Sequence, residues 1–235
     1  MKYIKFDILD KYGYTAIHTT KNAGNMRNIN NRQNLLKEMN ISNYKIANAI
    51  QTHSNNILCV KEDTNLDNLE NIDGFISNID NLAIITYYAD CLPIFLVDKN
   101  NKAYGLIHSG WRGSSNKIIY DAIDIMINEY KRNIDDIIIV LGVGISAKNY
   151  EIKQDTIDTL NKKLDFNNMI LYNENKAYLD NSLLNKILAI KKGIKEENIY
   201  MNNYCTFDDN FYSYRRDMTD SRNAAIIFRR GKHEK

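Results

Sequence analysis

The sequence predicts one mixed α/β domain, α+β in class, covering residues 1–235. Short, strongly apolar runs read as strands: Leu82 to Tyr88, Pro93 to Val97, Ala103 to Ile107 and Ile137 to Val143. Segments of helical period stand among them, and Lys117 to Tyr130 sets Ile118, Ala122, Ile125 and Met126 on one face. No internal repeat, Gly/Ser-rich linker or compositional break divides the chain. With 44% hydrophobic residues it can bury a sizeable core.

The remaining elements follow in order. Met1 to Leu9 and Tyr14 to Thr19 read as strands around an Asp-Lys-Tyr-Gly turn, and Asn22 to Asn30, which lacks an apolar period, as loop. Arg32 to Met39 is a short helix. Lys45 to Gln51 and Ile57 to Lys61 are strands flanking Thr-His-Ser-Asn-Asn, and polar Asp63 to Asp73 is loop. Helices are expected at Gln154 to Lys163 and Ser182 to Lys192, the second stopped by Gly193. Strands at Tyr200 to Thr206, Phe211 to Arg215 and Ala224 to Phe228 finish the pattern, and the basic end FRRGKHEK reads as a solvated tail.

Charge and composition exclude several function classes. A net charge of +2 without clustered Lys/Arg argues against a nucleic-acid surface. No apolar run approaches the ~20 residues that cross a bilayer, and none resembles a signal peptide. The expectation is a cytoplasmic protein with neither nucleic acid nor membrane as partner; oligomeric state is not legible. Cys59, Cys91 and Cys205, odd in number and widely spaced, do not suggest a disulfide framework.

Thr86 to Gly113 concentrates scarce residues: the only proline (Pro93), the only tryptophan (Trp111), Cys91 and His108. Asn100-Asn101 suits a two-residue hairpin turn between two apolar runs. Counting outward pairs Pro93 with His108 and Cys91 with Gly110, which puts Cys91 and His108 on one face. A slip of one residue would separate them. Taken singly, Cys91 is a small buried hydrophobe and His108 a structural histidine; together they can share an ion. His53, in a loop between two strands, is the third candidate ligand, while His233 lies in the tail. Two His and one Cys leave a fourth position open, the pattern of catalytic zinc. After the hairpin, Gly110 to Ser115 lead into a helix starting near Asn116, with Ser114 or Ser115 as cap. Arg112 beside free helix N–H groups makes an anion site; the alternative is an ordinary capped helix with a surface arginine.

These residues closely resemble the laccase-domain family, also described as a purine nucleoside phosphorylase family and in places named peptidoglycan-editing factor. The resemblance rests on Ala89-Asp90-Cys91-Leu92-Pro93 and His108-Ser109-Gly110-Trp111-Arg112-Gly113. It extends to Gln51-Thr52-His53, Asp73-Gly74, Cys205-Thr206 and Phe211 to Asp217. The chain departs from it at Gly142-Val143-Gly144, at Asp220-Ser221-Arg222 and in the shortened early loop, where His18-Thr19-Thr20-Lys21 stand. The resemblance implies one domain with mixed β-sheet layers between helices, similar to the catalytic domain of a cytotoxic necrotizing factor. It implies zinc, with copper as an alternative, on His53, Cys91 and His108. It also implies phosphorolysis of adenosine, inosine and methylthioadenosine, and deamination of adenosine to inosine.

That chemistry makes further demands. Deamination needs a proton-moving carboxylate, with Asp90 and Asp73 both open for this or for orienting a ligand histidine. Phosphorolysis needs phosphate held against ribose; Arg112 leads the candidates, with Arg215, Arg222 and Lys21 as further substrate contacts. In the alternative reading, the late arginines (Arg216 among them) are surface partners of Asp217 and Asp220. Multicopper phenol oxidation consumes many imidazoles, and the chain has 4. Three rivals stand: a metal-free hydrolase with Cys91 as nucleophile and His108 as base, a non-catalytic metal-binding or regulatory module, and a hydrolase that edits peptidoglycan precursors.

Overall fold

A computed structural model describes residues 1–163 and 169–229. The end of the basic tail, with His233, lies outside them. Strands β1 (Tyr3–Lys5) and β2 (Tyr14–Thr19) precede helix α1 (Ile29–Glu38). The short β3 (Lys45–Ala47) and β4 (Ile57–Val60) lead to β5 (Gly74–Ser77), β6 (Leu82–Tyr88), β7 (Leu92–Asp98) and β8 (Tyr104–Ser109). Then come α2 (Trp111–Ser115), α3 (Ile118–Asn128), β9 (Ile137–Leu141) and β10 (Glu151–Ile152). The rest are α4 (Gln154–Lys163), β11 (Ile170–Asn173), β12 (Lys176–Leu179), α5 (Asn181–Lys192), β13 (Ile199–Tyr200), α6 (Tyr214–Asp217) and β14 (Asn223–Arg229).

The central strands are apolar on both faces and need cover on both sides. The chain supplies it in layers. One sheet runs β1-β2-β14-β6-β3, a second β13-β9-β7-β8-β5-β4, and a small third β10-β12-β11. Between the two large sheets, Phe6, Tyr14, Phe75, Phe95, Tyr104 and Leu106 share one buried cluster. Alternate residues of β7, Leu92, Ile94 and Leu96, turn outward to Ile119 and Ile123 of α3 and Leu188 of α5. On the far side, Ile17, Ala83, Ile85 and Ile226 pack against Leu35 and Leu36 of α1. The mixed α/β class and the sheet layers between helices are therefore as the sequence predicts.

The β7–β8 register pairs Pro93 with His108, as counted. Its turn differs. Asp98 N donates to Ala103 O at 2.9 Å and Asn101 N to Asp98 O at 3.0 Å. This gives a longer connection in which only Asn101 is left-handed, at φ 56°, and the register is unchanged.

Other boundaries move for local reasons. The first strand stops at Lys5 because Asp7–Tyr12 winds into a 3-10 helix ended by left-handed Gly13 at φ 82°. The Lys45 strand ends at Ala47, and beyond it the Gln51 side chain takes over, bonding the backbone N and O of Tyr87 at 2.7 and 3.1 Å. After Tyr200, Asn202 Nδ2 donates to Leu141 O and Gly142 O, both at 2.9 Å, in place of a ladder. Phe211 to Arg215 is not a strand: Ser213 caps α6 by accepting from Arg216 N at 3.2 Å. Ser114 and Ser115 are not caps either; α2 begins earlier, after Gly110, and Ser114 is buried in bonds to Ser109 and Asn181.

Candidate metal centre and cavity

Each donor reaches the centre by its own local device. His108 closes β8 on the face toward the other large sheet, its ring 5.3 Å from that of Tyr88 on β6. It therefore lies where the ends of the two sheets meet. Cys91 precedes β7 behind Asp90, whose φ of 93° turns the chain sharply. His53 is left-handed too, at φ 62°. Such backbone is costly for a non-glycine residue and is kept where surrounding contacts impose it.

For His53 those contacts converge on Asp73, which is fully buried. Its Oδ1 accepts His108 Nδ1–H at 2.8 Å and His53 N–H at 3.1 Å. Its Oδ2 accepts Thr52 N at 3.2 Å, and Ser54 N and Oγ both at 2.7 Å. One carboxylate thus holds the His53 loop and fixes the His108 tautomer, leaving His108 Nε2 for the centre. His53 Nε2 lies 3.6 Å from Cys91 Sγ, and the ring centroids of His53 and His108 are 4.9 Å apart. The donor atoms of His53, Cys91 and His108 all fall within 4.8 Å of one another.

Charge inside the centre is mutually dependent. Burial pushes the Cys91 thiol up, but His108 and then His53 outweigh it and hold the thiol below its ordinary value. Burial pulls His108 down, but Cys91 and Asp73 outweigh it and raise the ring above its ordinary value. Burial raises Asp73, and the bonds from His108 and Ser54 reverse this, lowering it to about 2. These directions favour a thiolate beside a charged imidazole, which is a nucleophilic pair, or a ligand set once a cation displaces the imidazole proton.

The donor set fits a metal ion. Two imidazole nitrogens and a thiolate suit zinc, and also copper. The space between them is kept by Gly110, because a Cβ there would stand 2.9 Å from His53 Cδ2 and 3.0 Å from Cys91 Sγ.

A cavity of about 1270 Å³ opens over these residues. Arg112, Arg215 and Arg222 line it; Lys21 is not among the lining residues. Lys21 instead pairs with Asp217 at 3.8 Å. The Arg112 guanidinium lies 4.3 Å from the Trp111 ring centroid. Arg215 Nη1 donates to Glu151 O at 2.6 Å. Asp90, a lining residue, has both oxygens engaged: Oδ1 accepts from Thr206 Oγ1 at 2.8 Å and Oδ2 from Arg215 N at 2.7 Å. Arg27, Arg32 and Tyr87 line the cavity as well. Sequence reasoning missed them, since the loop around Arg27 has no period that would place it.

The model of the family described as multi-copper polyphenol oxidoreductase laccase matches residues 15–230. The chain belongs to this family. A purine nucleoside phosphorylase of Borreliella burgdorferi is 33% identical over 205 residues, covering 83% of this chain and 86% of that one. One of Campylobacter jejuni is 34% identical over 181 residues, covering 76% and 74%. Among solved structures, the Bacillus licheniformis protein YfiH superposes with a TM-score of 0.88 at 23% identity, over 97% of both chains. YlmD from Geobacillus stearothermophilus gives 0.88 at 23% identity, over 98% of this chain and 97% of its own. At that identity the likeness is one of fold. The copper in the family's description finds one possible group among the described residues, the His53–Cys91–His108 set. His18 is fully buried against Tyr88 and Phe211. No helix among the described residues is long and apolar enough to cross a membrane.

Proposed function

We propose that the protein is a zinc-dependent purine nucleoside enzyme. It cleaves adenosine, inosine and methylthioadenosine with phosphate, giving the free base and ribose or methylthioribose 1-phosphate, and it deaminates adenosine to inosine. The observation that carries this is the convergence of His53, Cys91 and His108 within 4.8 Å on the wall of a large cavity. The printed names of the Borreliella and Campylobacter relatives support the substrate class.

His53, Cys91 and His108 would hold the zinc, which supplies Lewis-acid polarisation at an open fourth position. In phosphorolysis a phosphate oxygen bonds to ribose C1′ while the C1′–N9 bond breaks. The electron pair leaves with the purine, which takes up a proton. The chain's share is positioning and charge: cavity arginines hold the phosphate, and Trp111 and Tyr150, both lining residues, offer faces to a purine. In deamination water adds at purine C6 and ammonia leaves. Asp73 acts by orienting His108 and His53, because both of its oxygens are already bonded.

One observation favours a second reading. Asp73, His108 and Cys91 stand in the order orienter, base, nucleophile, which is a hydrolase triad needing no metal. Incubating purified protein with each nucleoside, with and without phosphate, and separating the products tests the first reading. Free base that forms only with phosphate is the expected result. Turnover of none of the nucleosides, with or without phosphate, rejects it.

A further inference from the structure

One stretch of the cavity wall carries three arginines that form no ion pair with a carboxylate among the described residues. Arg27 lies just before α1, Arg32 in the first turns of α1, and Arg222 just before β14. Backbone pairing brings these distant segments together: Met26 N donates to Arg222 O at 2.9 Å, and Arg222 N to Asn25 Oδ1 at 3.0 Å. Arg32 Nη1 then ties the loop down through Met26 O and Arg27 O at 3.0 and 3.1 Å.

None of the three forms an ion pair among the described residues. Like Arg112 and Arg215 they line the cavity unpaired, whereas described arginines that do not line it behave differently: Arg216 pairs with Asp217 at 2.6 Å, Arg229 with Asp80 at 2.6 Å, and Arg132 approaches buried Asp98 at 3.9 Å. Asp67 and Glu70 line the same cavity yet pair with none of the three. Beside the cluster, the Arg32 guanidinium sits 5.7 Å from the Tyr87 ring centroid. The Tyr87 hydroxyl is buried and has no hydrogen-bond partner among the described residues. Arg222 is pulled down by burial and then by Arg27, so like charges are held close, while Asp220, Cys91 and Asp90 act the other way; the three arginines line the same cavity as His53, Cys91 and His108. Planar guanidinium forks and a hydroxyl donor match a tetrahedral oxyanion, which each fork can meet through two oxygens.

We propose that Arg27, Arg32 and Arg222, with the Tyr87 hydroxyl, form a phosphate subsite of the cavity, next to the His53–Cys91–His108 centre. Naming the anion as phosphate rests on the phosphorolytic reading above. The phosphate is either free or already esterified to a nucleoside. Arg112, against Trp111, and Arg215, on Glu151 O, line the same cavity; Arg222 Nη1 is likewise tied to Thr219 O and Ser221 O at 2.8 and 2.9 Å, which leaves its remaining N–H groups for the anion.

Calorimetric titration of the full-length protein with inorganic phosphate and, separately, with adenosine 5′-monophosphate tests the subsite. Arg27 is exposed and its guanidinium has no partner among the described residues, so Arg27→Ala leaves the fold intact. Arg27→Ala and Arg32→Ala each weaken phosphate binding by about tenfold or more, the size of one lost charged hydrogen bond. Arg27→Lys recovers part of the loss, and metal content stays at the wild-type value. Monophosphate binding tighter than inorganic phosphate, lost in the same variants, assigns the subsite to an esterified phosphate; the reverse order assigns it to the free ion. Wild-type protein that binds neither anion, or variants that bind as wild type does, overturn the proposal. Phosphate-dependent turnover with an unchanged phosphate KM in both variants overturns the subsite and spares the function. Binding lost in the variants, with no nucleoside turned over by any form, keeps the subsite and removes the function.

Discussion

The Asp73 carboxylate accepts His108 Nδ1–H at 2.8 Å and, through the same oxygen, the His53 backbone N–H at 3.1 Å. A single buried side chain therefore sets the positions of two histidines that lie far apart in sequence. The centre is preorganised by one anion before any metal arrives.

Asp73→Asn keeps the shape of that side chain and removes its charge. Metal affinity should fall about 10- to 100-fold, the usual cost of losing a partner of a ligating histidine. Competition against a chromophoric chelator measures this. Asp73→Ala is the harsher change: stripping a buried hub of its bonded partners costs about 3–5 kcal/mol, readable from urea unfolding.

Gly110→Ala tests the space between the donors. Its Cβ would lie 2.9 Å from His53 Cδ2 and 3.0 Å from Cys91 Sγ, so one donor must move. The expected result is a folded protein, destabilised by about 1–3 kcal/mol, with metal content far below wild type. Wild-type metal content in this variant would show that the space is not used.

In metal-stripped protein the Cys91 thiol should react with iodoacetamide well below the ordinary thiol range of about 8.5. The sign follows from its neighbours: His108 and His53 favour the thiolate over the opposing effect of burial. Cys59 is pushed the other way by burial and does not compete. Replacing His108 by alanine should move the reaction midpoint up. A rate profile identical in wild type and His108→Ala would contradict the pairing.

His18 predicts an acid-sensitive fold. It is fully buried, neither ring nitrogen has a hydrogen-bond partner among the described residues, and burial lowers it from 6.5 to about 3. Below pH 6.5 the unfolded chain binds a proton that the folded chain refuses, so stability falls as pH falls toward 3. At pH 5 the loss is about 2 kcal/mol. His18→Leu should flatten this acid limb, as denaturant midpoints at pH 7 and pH 5 will show.

The β7–β8 hairpin was legible because its register follows from the length of two apolar runs, whatever the turn. That register alone puts Cys91 and His108 on one face. The choice between Asp73 and Asp90 was not legible: Asp90 is left-handed and accepts from Arg215 N of α6, whereas Asp73 holds one loop through the backbone N–H groups of Thr52, His53 and Ser54 and reaches β8 through the His108 ring, contacts that no spacing encodes. Arg27 and Arg32 were missed for a similar reason, since Met26 and Arg222 pair across almost the whole chain. Lys21, expected near substrate from the early loop, instead faces Asp217. The β10–β12 sheet escaped notice because its strands are short and Leu171 and Tyr172 stand exposed.

The proposed function requires one catalytic zinc on His53, Cys91 and His108. Elemental analysis of the purified protein, paired with nucleoside turnover before and after chelation, tests it most directly. One zinc per chain is expected, with turnover lost with the metal and restored by zinc, and neither metal nor turnover in His53→Ala. Full turnover in a strong chelator, abolished by alkylation of Cys91, would contradict it and leave the Asp73–His108–Cys91 triad as a metal-free hydrolase.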